Sequence, residues 1–119
     1  MIQLKRAYEP AGKEDGFRIL VDRLWPRGMS KEKEHLDLWL KEVAPSKELR
    51  QWFNHEQNKF PEFVEKYQVE LQNGDAKIAF QTLLRIVQSY PVVTFIYGAK
   101  DQTYNNAVAL KDIIENRLD

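Results

Sequence analysis

The stretch from Gly16 to Ser30, Gly-Phe-Arg-Ile-Leu-Val-Asp-Arg-Leu-Trp-Pro-Arg-Gly-Met-Ser, places the tightest limit on what this chain can fold into. Phe17, Ile19, Leu20, Val21 and Leu24 form a short apolar run, and Pro26 and Gly28 forbid its continuation. A run that is apolar on nearly every residue suits a strand covered on both faces, the habit of parallel sheets between helices. Arg23 and Arg27 flank a Trp-Pro pair where the strand stops. Ligands of open α/β sheets bind beyond the carboxyl ends of strands, so two guanidinium groups there make a candidate anion site. The same arginines could equally serve as surface ion-pair partners, with Trp25 in the core.

The rest of the chain fits that frame. Ile2 to Tyr8 alternates, with a slip, and reads as a strand or an edge; Glu9 to Gly16 reads as a loop. Ser30 can cap a brief helix through Lys31 to His35. Asp37 to Val43 fits a helix face as well as a strand. Ala44, Pro45 and Ser46 break the chain, and Ser46 is a good N-cap for a helix to Phe53. Lys59 to Leu71 is an amphipathic helix with Phe60, Phe63, Val64, Tyr67 and Leu71 at steps of three and four. Gly74 ends it, and Asp75 is expected to cap a further helix carrying Phe80, Leu83, Leu84 and Val87. Tyr90 and Pro91 stop that helix before the clearest strand, Val92 to Tyr97, rich in β-branched and aromatic residues and closed by Gly98. A last helix, Tyr104 to Leu118, faces inward with Ala107, Leu110, Ile114 and Leu118. The expected fold is α/β: a single compact domain over residues 1–119, with a small, largely parallel sheet and helices packed on its faces.

Composition narrows the function classes. Acidic and basic residues balance at 18 each, so no global field favours nucleic acid or an anionic membrane. There is no cysteine, which excludes a disulfide framework, a cysteine nucleophile and cysteine-ligated metal. The Met-Ile-Gln-Leu-Lys-Arg start lacks a signal-peptide core and no run approaches a membrane span, so the cytoplasm is the expected compartment. His35 with Asp37, and His55 with Glu56, are too sparse for a metal site, and no metal or cofactor is expected. Phosphate-loop glycines, Gly-x-Gly-x-x-Gly and a nucleophile-elbow serine are all missing.

If the strands at Phe17 and Val92 are parallel, the loops after them open on the same edge. The first brings Arg23, Trp25, Arg27 and Gly28; the second brings Gly98, Lys100, Asp101, Tyr104 and Asn105. Ser46 would join them if Asp37 to Val43 is a strand, and the backbone N–H groups after it would favour an anion. Asp101 could act as a general base or orient Lys100; alternatively it caps the last helix or starts a turn. Trp25, Pro26, Gly28 and Gly98 are expected to shape the loops. Asp22, if buried, needs a partner such as Arg23 or Lys100.

The blocks Arg18-Ile-Leu-Val-Asp-Arg-Leu-Trp-Pro-Arg-Gly28, Lys41-Glu-Val-Ala-Pro-Ser-Lys-Glu-Leu-Arg50 and Tyr97-Gly-Ala-Lys-Asp101 resemble the signature blocks of the YeaO-like family, small bacterial proteins in a superfamily of domains of unknown function. The resemblance covers nearly the whole chain. It implies a compact α/β domain in which Asp37 to Val43 is a strand, and it carries Asn105 over as a polar site residue. Many close relatives place a His beside that Asn, whereas Tyr104 and Asn106 flank it here; longer members carry Cys and a His-Arg pair in the last loop, where this chain has Gly98 to Asn106. The leading functional expectation is a cleft for a small phosphate- or carboxylate-bearing metabolite, a nucleotide among the candidates. Arg23, Arg27, Ser46 and Asn105 would bind the anion, and Lys100 and Asp101 would carry any chemistry. The alternatives are a nucleic-acid-binding or regulatory module, disfavoured by the neutral charge, and an interaction domain anchored by Trp25, Trp39 and Trp52.

Overall fold

The computed structural model of the protein describes residues 1–118, and at its centre is the strand Val93–Tyr97, buried at every position. Numbered along the chain, β1 is Ile2–Arg6, β2 Phe17–Leu20, β3 Leu38–Trp39 and β4 Val93–Tyr97. The strands run in the order β1-β4-β2-β3 and every pairing is parallel. Ile2 and Phe17 flank Val93, and Leu4 and Ile19 flank Phe95. Side chains alternate across a strand, so these six residues share one face.

The five helices are α1 (Lys31–Glu34), α2 (Lys47–Phe53), α3 (Phe60–Glu70), α4 (Gly74–Ser89) and α5 (Asn106–Leu118). Leu49 and Phe53 of α2, Phe63 and Tyr67 of α3, Phe80 and Leu83 of α4, and Leu110 and Ile114 of α5 join the sheet's apolar face in one continuous core. The opposite face is covered differently. Leu20, Ile96 and Ala7 make a small cluster against Trp25 and Leu36, and beside it Arg18 is buried with Asp15 and Glu34. The Arg18 guanidinium donates to Asp15 and to the Glu34 carbonyl, and Lys5 reaches Asp15 at 3.0 Å. The arginine inside the apolar run is thereby neutralised, as a buried charge must be.

Several boundaries differ from expectation; the first strand ends at Arg6 rather than Tyr8 and the last helix begins at Asn106 rather than Tyr104. The strand after Gly16 ends at Leu20 rather than Leu24; Val21 N–H still bonds the Ile96 carbonyl, after which the chain turns away. Asp37 to Val43 divides into the two-residue β3 and a 3-10 turn, Lys41–Val43. Gly74 begins α4 rather than ending the helix before it, and Asn73 holds the cap position expected of Asp75. Asp75 lies in the first turn instead, where a carboxylate favours the helix dipole. No helix among the described residues is long and apolar enough to cross a membrane.

Candidate functional site: a two-arginine cavity at the sheet edge

Because β2 and β4 are hydrogen-bonded parallel neighbours, the loops that follow them leave the same edge side by side. Asp22 joins the two. Gly98 N–H donates to its Oδ2 at 2.8 Å, and Asn106 Nδ2, in the first turn of α5, donates to its Oδ1 at 3.1 Å. A Cβ at Gly98 would come within 3.3 Å of Asp22 Oδ2, which gives the glycine a packing reason. Burial pushes the Asp22 carboxyl above the usual carboxylate range; its two hydrogen bonds and the charge of Arg50 pull the other way without reversing it.

Beside Asp22 opens a cavity of about 290 Å³, walled from several parts of the chain. Arg23 and Leu24 follow β2, Ala44 and Pro45 precede α2, and Arg50 and Phe53 come from α2 itself. Phe63 of α3, Ala99, Asn105 and Asn106 complete the wall, with His55 at the exposed rim. Asn54 and His55 both take left-handed backbone, at φ of 48° and 56°. That conformation is costly for residues with side chains, and here it turns the chain sharply between α2 and α3 and brings His55 to the rim.

The arginines set the character of the cavity. Arg23 Nη2 donates to the Ala44 carbonyl at 3.2 Å, but its Nε is buried with no hydrogen-bond partner among the described residues, and the same is true of Arg50 Nε. Among the described residues neither forms an ion pair with a carboxylate. A buried donor without a partner costs about 1–3 kcal/mol, and more when charged, so two of them in one cavity call for an acceptor from outside the chain. Tyr67 is a neutral donor nearby: its hydroxyl bonds the Val43 carbonyl at 2.5 Å. Complete burial, with the negative charges of Asp22 and Glu70, holds it well above the ordinary tyrosine value, against the opposing charge of Arg23.

Several residues expected in this cleft lie elsewhere or are otherwise engaged. Arg27 is exposed and outside the cavity wall, because the chain turns back at Pro26, where Met29 N–H bonds the Pro26 carbonyl. Lys100 is exposed and also outside the wall. The amino end of α2 is occupied from within: Glu70 takes Ser46 N–H at 2.9 Å and the Ser46 hydroxyl at 2.5 Å, while Ser46 Oγ accepts from Leu49 N–H. Asp101 forms a turn, accepting from Thr103 and Tyr104 N–H, and those bonds hold its carboxyl below the ordinary range. Asn105 does line the cavity, but its Oδ1 takes Val108 N–H and its Nδ2 donates to the Asp101 carbonyl. Trp25, Pro26 and Gly28 lie outside the wall; Trp25 Nε1 bonds the Met29 carbonyl at 2.7 Å and Gly28 has φ of 80°.

Arg50 and Asn106 were not singled out by the sequence. The signal for Arg50 was its place between Leu49 and Phe53, on the flank of the apolar stripe of a short helix, where a long cation borders the core. Among the described residues no group of three or more His, Asp or Glu side chains is arranged to hold a metal ion.

The whole chain, residues 1–119, matches the family described as "Inactive DUF488-N3 subclade". It is 45% identical over 111 residues to the uncharacterised protein YeaO of Escherichia coli (strain K12), covering 93% of this chain and 94% of that one. An uncharacterised protein of Mycobacterium tuberculosis (strain ATCC 25618 / H37Rv) is 36% identical over 116 residues, covering 98% and 95%. No solved structure matches the chain. Matched over its full length by that family and nearly end to end by those relatives, the chain belongs to the inactive DUF488-N3 subclade, the YeaO-like proteins.

Proposed function

We propose that the protein is a cytoplasmic binder of a small anionic metabolite, held by Arg23 and Arg50 in the cavity beside Asp22. One observation carries this reading: Arg23 and Arg50 both line the same cavity, and among the described residues each keeps a buried Nε–H with no hydrogen-bond partner. Arginine presents a fixed fork that matches carboxylate and phosphate oxygens, and Arg50 takes the part that Arg27 was expected to fill. Binding is favoured over catalysis. The family is described as inactive, the expected base Asp101 forms a turn, and both Asp22 oxygens already accept hydrogen bonds. At about 290 Å³ the cavity lies at the small end of ligand pockets, which run from about 300 to 1,000 Å³.

The test is a thermal-shift and calorimetric titration with inorganic phosphate and with 3-phenylpropanoate. A ligand at about a hundred times its Kd adds about 2.7 kcal/mol to stability, or about 10 °C in melting temperature for a chain of this length. Arg23→Gln and Arg50→Gln should each weaken binding at least about tenfold, since a charge-assisted hydrogen bond is worth about 1.5–3 kcal/mol. Arg27→Gln should leave it unchanged. Binding of neither these probes nor any small amino acid, or an equal loss in Arg27→Gln, would overturn the reading.

A further inference from the structure

The polar groups around the cavity are not all equally available to a ligand. Asn105 has its Oδ1 committed to Val108 N–H and its Nδ2 to the Asp101 carbonyl. Asn106 Nδ2 is committed to Asp22 and to the Val21 carbonyl. On the donor side, among the described residues, Arg23 makes one side-chain hydrogen bond, to the Ala44 carbonyl, and Arg50 makes none, so both guanidinium groups keep uncommitted N–H donors. On the acceptor side the uncommitted group is Asp22: a carboxylate offers about four lone-pair sites, and each Asp22 oxygen accepts one bond, from Gly98 N–H and from Asn106. A ligand that matches the site therefore brings acceptors for the guanidinium groups and a donor for Asp22.

Charge supports the same conclusion. A purely anionic ligand would share a partly dry cavity with the Asp22 carboxylate, and like charges repel more strongly where water is excluded. Burial already disfavours the charged form of Asp22. A cationic donor on the ligand would relieve that carboxylate, whereas a second anion would burden it. Apart from His55 at the exposed rim, the remaining wall is apolar, from Leu24, Ala44, Pro45, Phe53, Phe63 and Ala99. At about 30 Å³ for each water-sized group, a cavity of about 290 Å³ admits a ligand of about ten non-hydrogen atoms.

We infer that the anion bound here is the carboxylate of an apolar α-amino acid of leucine to phenylalanine size, its carboxylate on Arg23 and Arg50, its ammonium on Asp22 and its side chain against Phe53 and Phe63. The inference rests on the anion-binding reading above and adds the ammonium.

The experiment compares, on the unaltered protein, L-phenylalanine and L-leucine with the acids that lack only the amino group, 3-phenylpropanoate and 4-methylpentanoate, by isothermal titration at constant ionic strength. At least one amino acid should bind about tenfold or more tightly than its deaminated counterpart, and Asp22→Asn should erase that preference. The comparison on the unaltered chain stands even if Asp22→Asn fails to fold. If the deaminated acids or phosphate bind as tightly as the amino acids, and Arg23→Gln abolishes that binding, the ammonium assignment is wrong and the anion site survives. If none of the amino acids, deaminated acids or phosphate binds, both readings fall.

Discussion

Replacing Glu70 by alanine tests the claim that the amino end of α2 is satisfied from inside the protein. Glu70 ends α3, and its two oxygens take the Ser46 N–H at 2.9 Å and the Ser46 hydroxyl at 2.5 Å. Ser46 Oγ in turn accepts from Leu49 N–H at 3.1 Å, so one carboxylate supplies the negative charge that a helix start favours and also ties α3 to α2. Hydrogen bonds to a charged group contribute about 1.5–3 kcal/mol each. These two share a half-buried partner and do not add fully, so Glu70→Ala should cost about 2–3 kcal/mol in total. With an unfolding entropy of about 2.1 cal/mol/K per residue, that lowers the melting temperature by about 8–12 °C. Urea denaturation should show the loss as a lower midpoint with an unchanged slope. Ser46→Ala measured alone and with Glu70→Ala should give a coupling of about 1 kcal/mol or more. A loss below about 0.5 kcal/mol, or strict additivity with Ser46→Ala, would refute the argument and return the start of α2 to the list of places open to an external anion.

Two further perturbations probe the loops and the buried ions. Gly28→Val should destabilise by about 1–2 kcal/mol through conformation alone, because φ is 80° and no heavy atom lies within 4 Å of the new Cβ; an unchanged urea midpoint would show that the loop relaxes freely. Glu34→Gln should alter the pH dependence of stability. Burial raises the Glu34 carboxyl above its ordinary value of 4.5, against the charge of Arg18, so the folded state holds this proton more tightly than the unfolded. The contribution is fully present below the unfolded value and is lost as pH rises through the folded one. Glu34→Gln should therefore gain stability relative to the parent as pH climbs from about 4 towards neutrality, and a difference that is flat or of opposite slope across urea melts in that range would contradict it. Asp15 works in the other sense: burial raises its carboxyl, but bonds from Gly12 N–H, Lys5 and Arg18 outweigh that, so its contribution is lost as pH falls.

The elements that sequence patterning located are those whose apolar residues repeat or cluster. Lys59 to Leu71 carries its own period and Val92 to Tyr97 its β-branched and aromatic composition, so the helix and strand there were legible to within about two residues. The covering of the sheet was not. In β2, Phe17 and Ile19 face the helices, while Arg18 and Leu20 face the opposite side. The arginine was a visible exception in an apolar run, yet its partners Asp15 and Glu34 come from a loop and a one-turn helix that no periodicity links to β2. Parallel pairing of β2 with β4 could be argued from burial; a second face closed partly by ions could not.

The candidate site divides along the same line, and the division follows distance from the strand end. Asp22 and Arg23 come directly after β2, where the sheet still dictates the path of the chain, so their place at the edge was legible. Arg27 is only four residues further, but by then Trp25 has bonded the Met29 carbonyl and the chain has reversed. The second cation comes instead from Arg50, whose approach depends on how β3 and the Lys41–Val43 turn aim a seven-residue helix across the edge. Ser46 shows the other failure. Its cap was read correctly, since Ser46 Oγ does accept from Leu49 N–H, but a free helix start also attracts the protein's own carboxylates, and Glu70 reached it first. A donor group identified from sequence is thus a site only where the fold withholds an internal acceptor. Among the described residues Arg23 Nε and Arg50 Nε are buried without an internal acceptor and both arginines line one cavity, yet of the two only Arg23 was singled out from sequence.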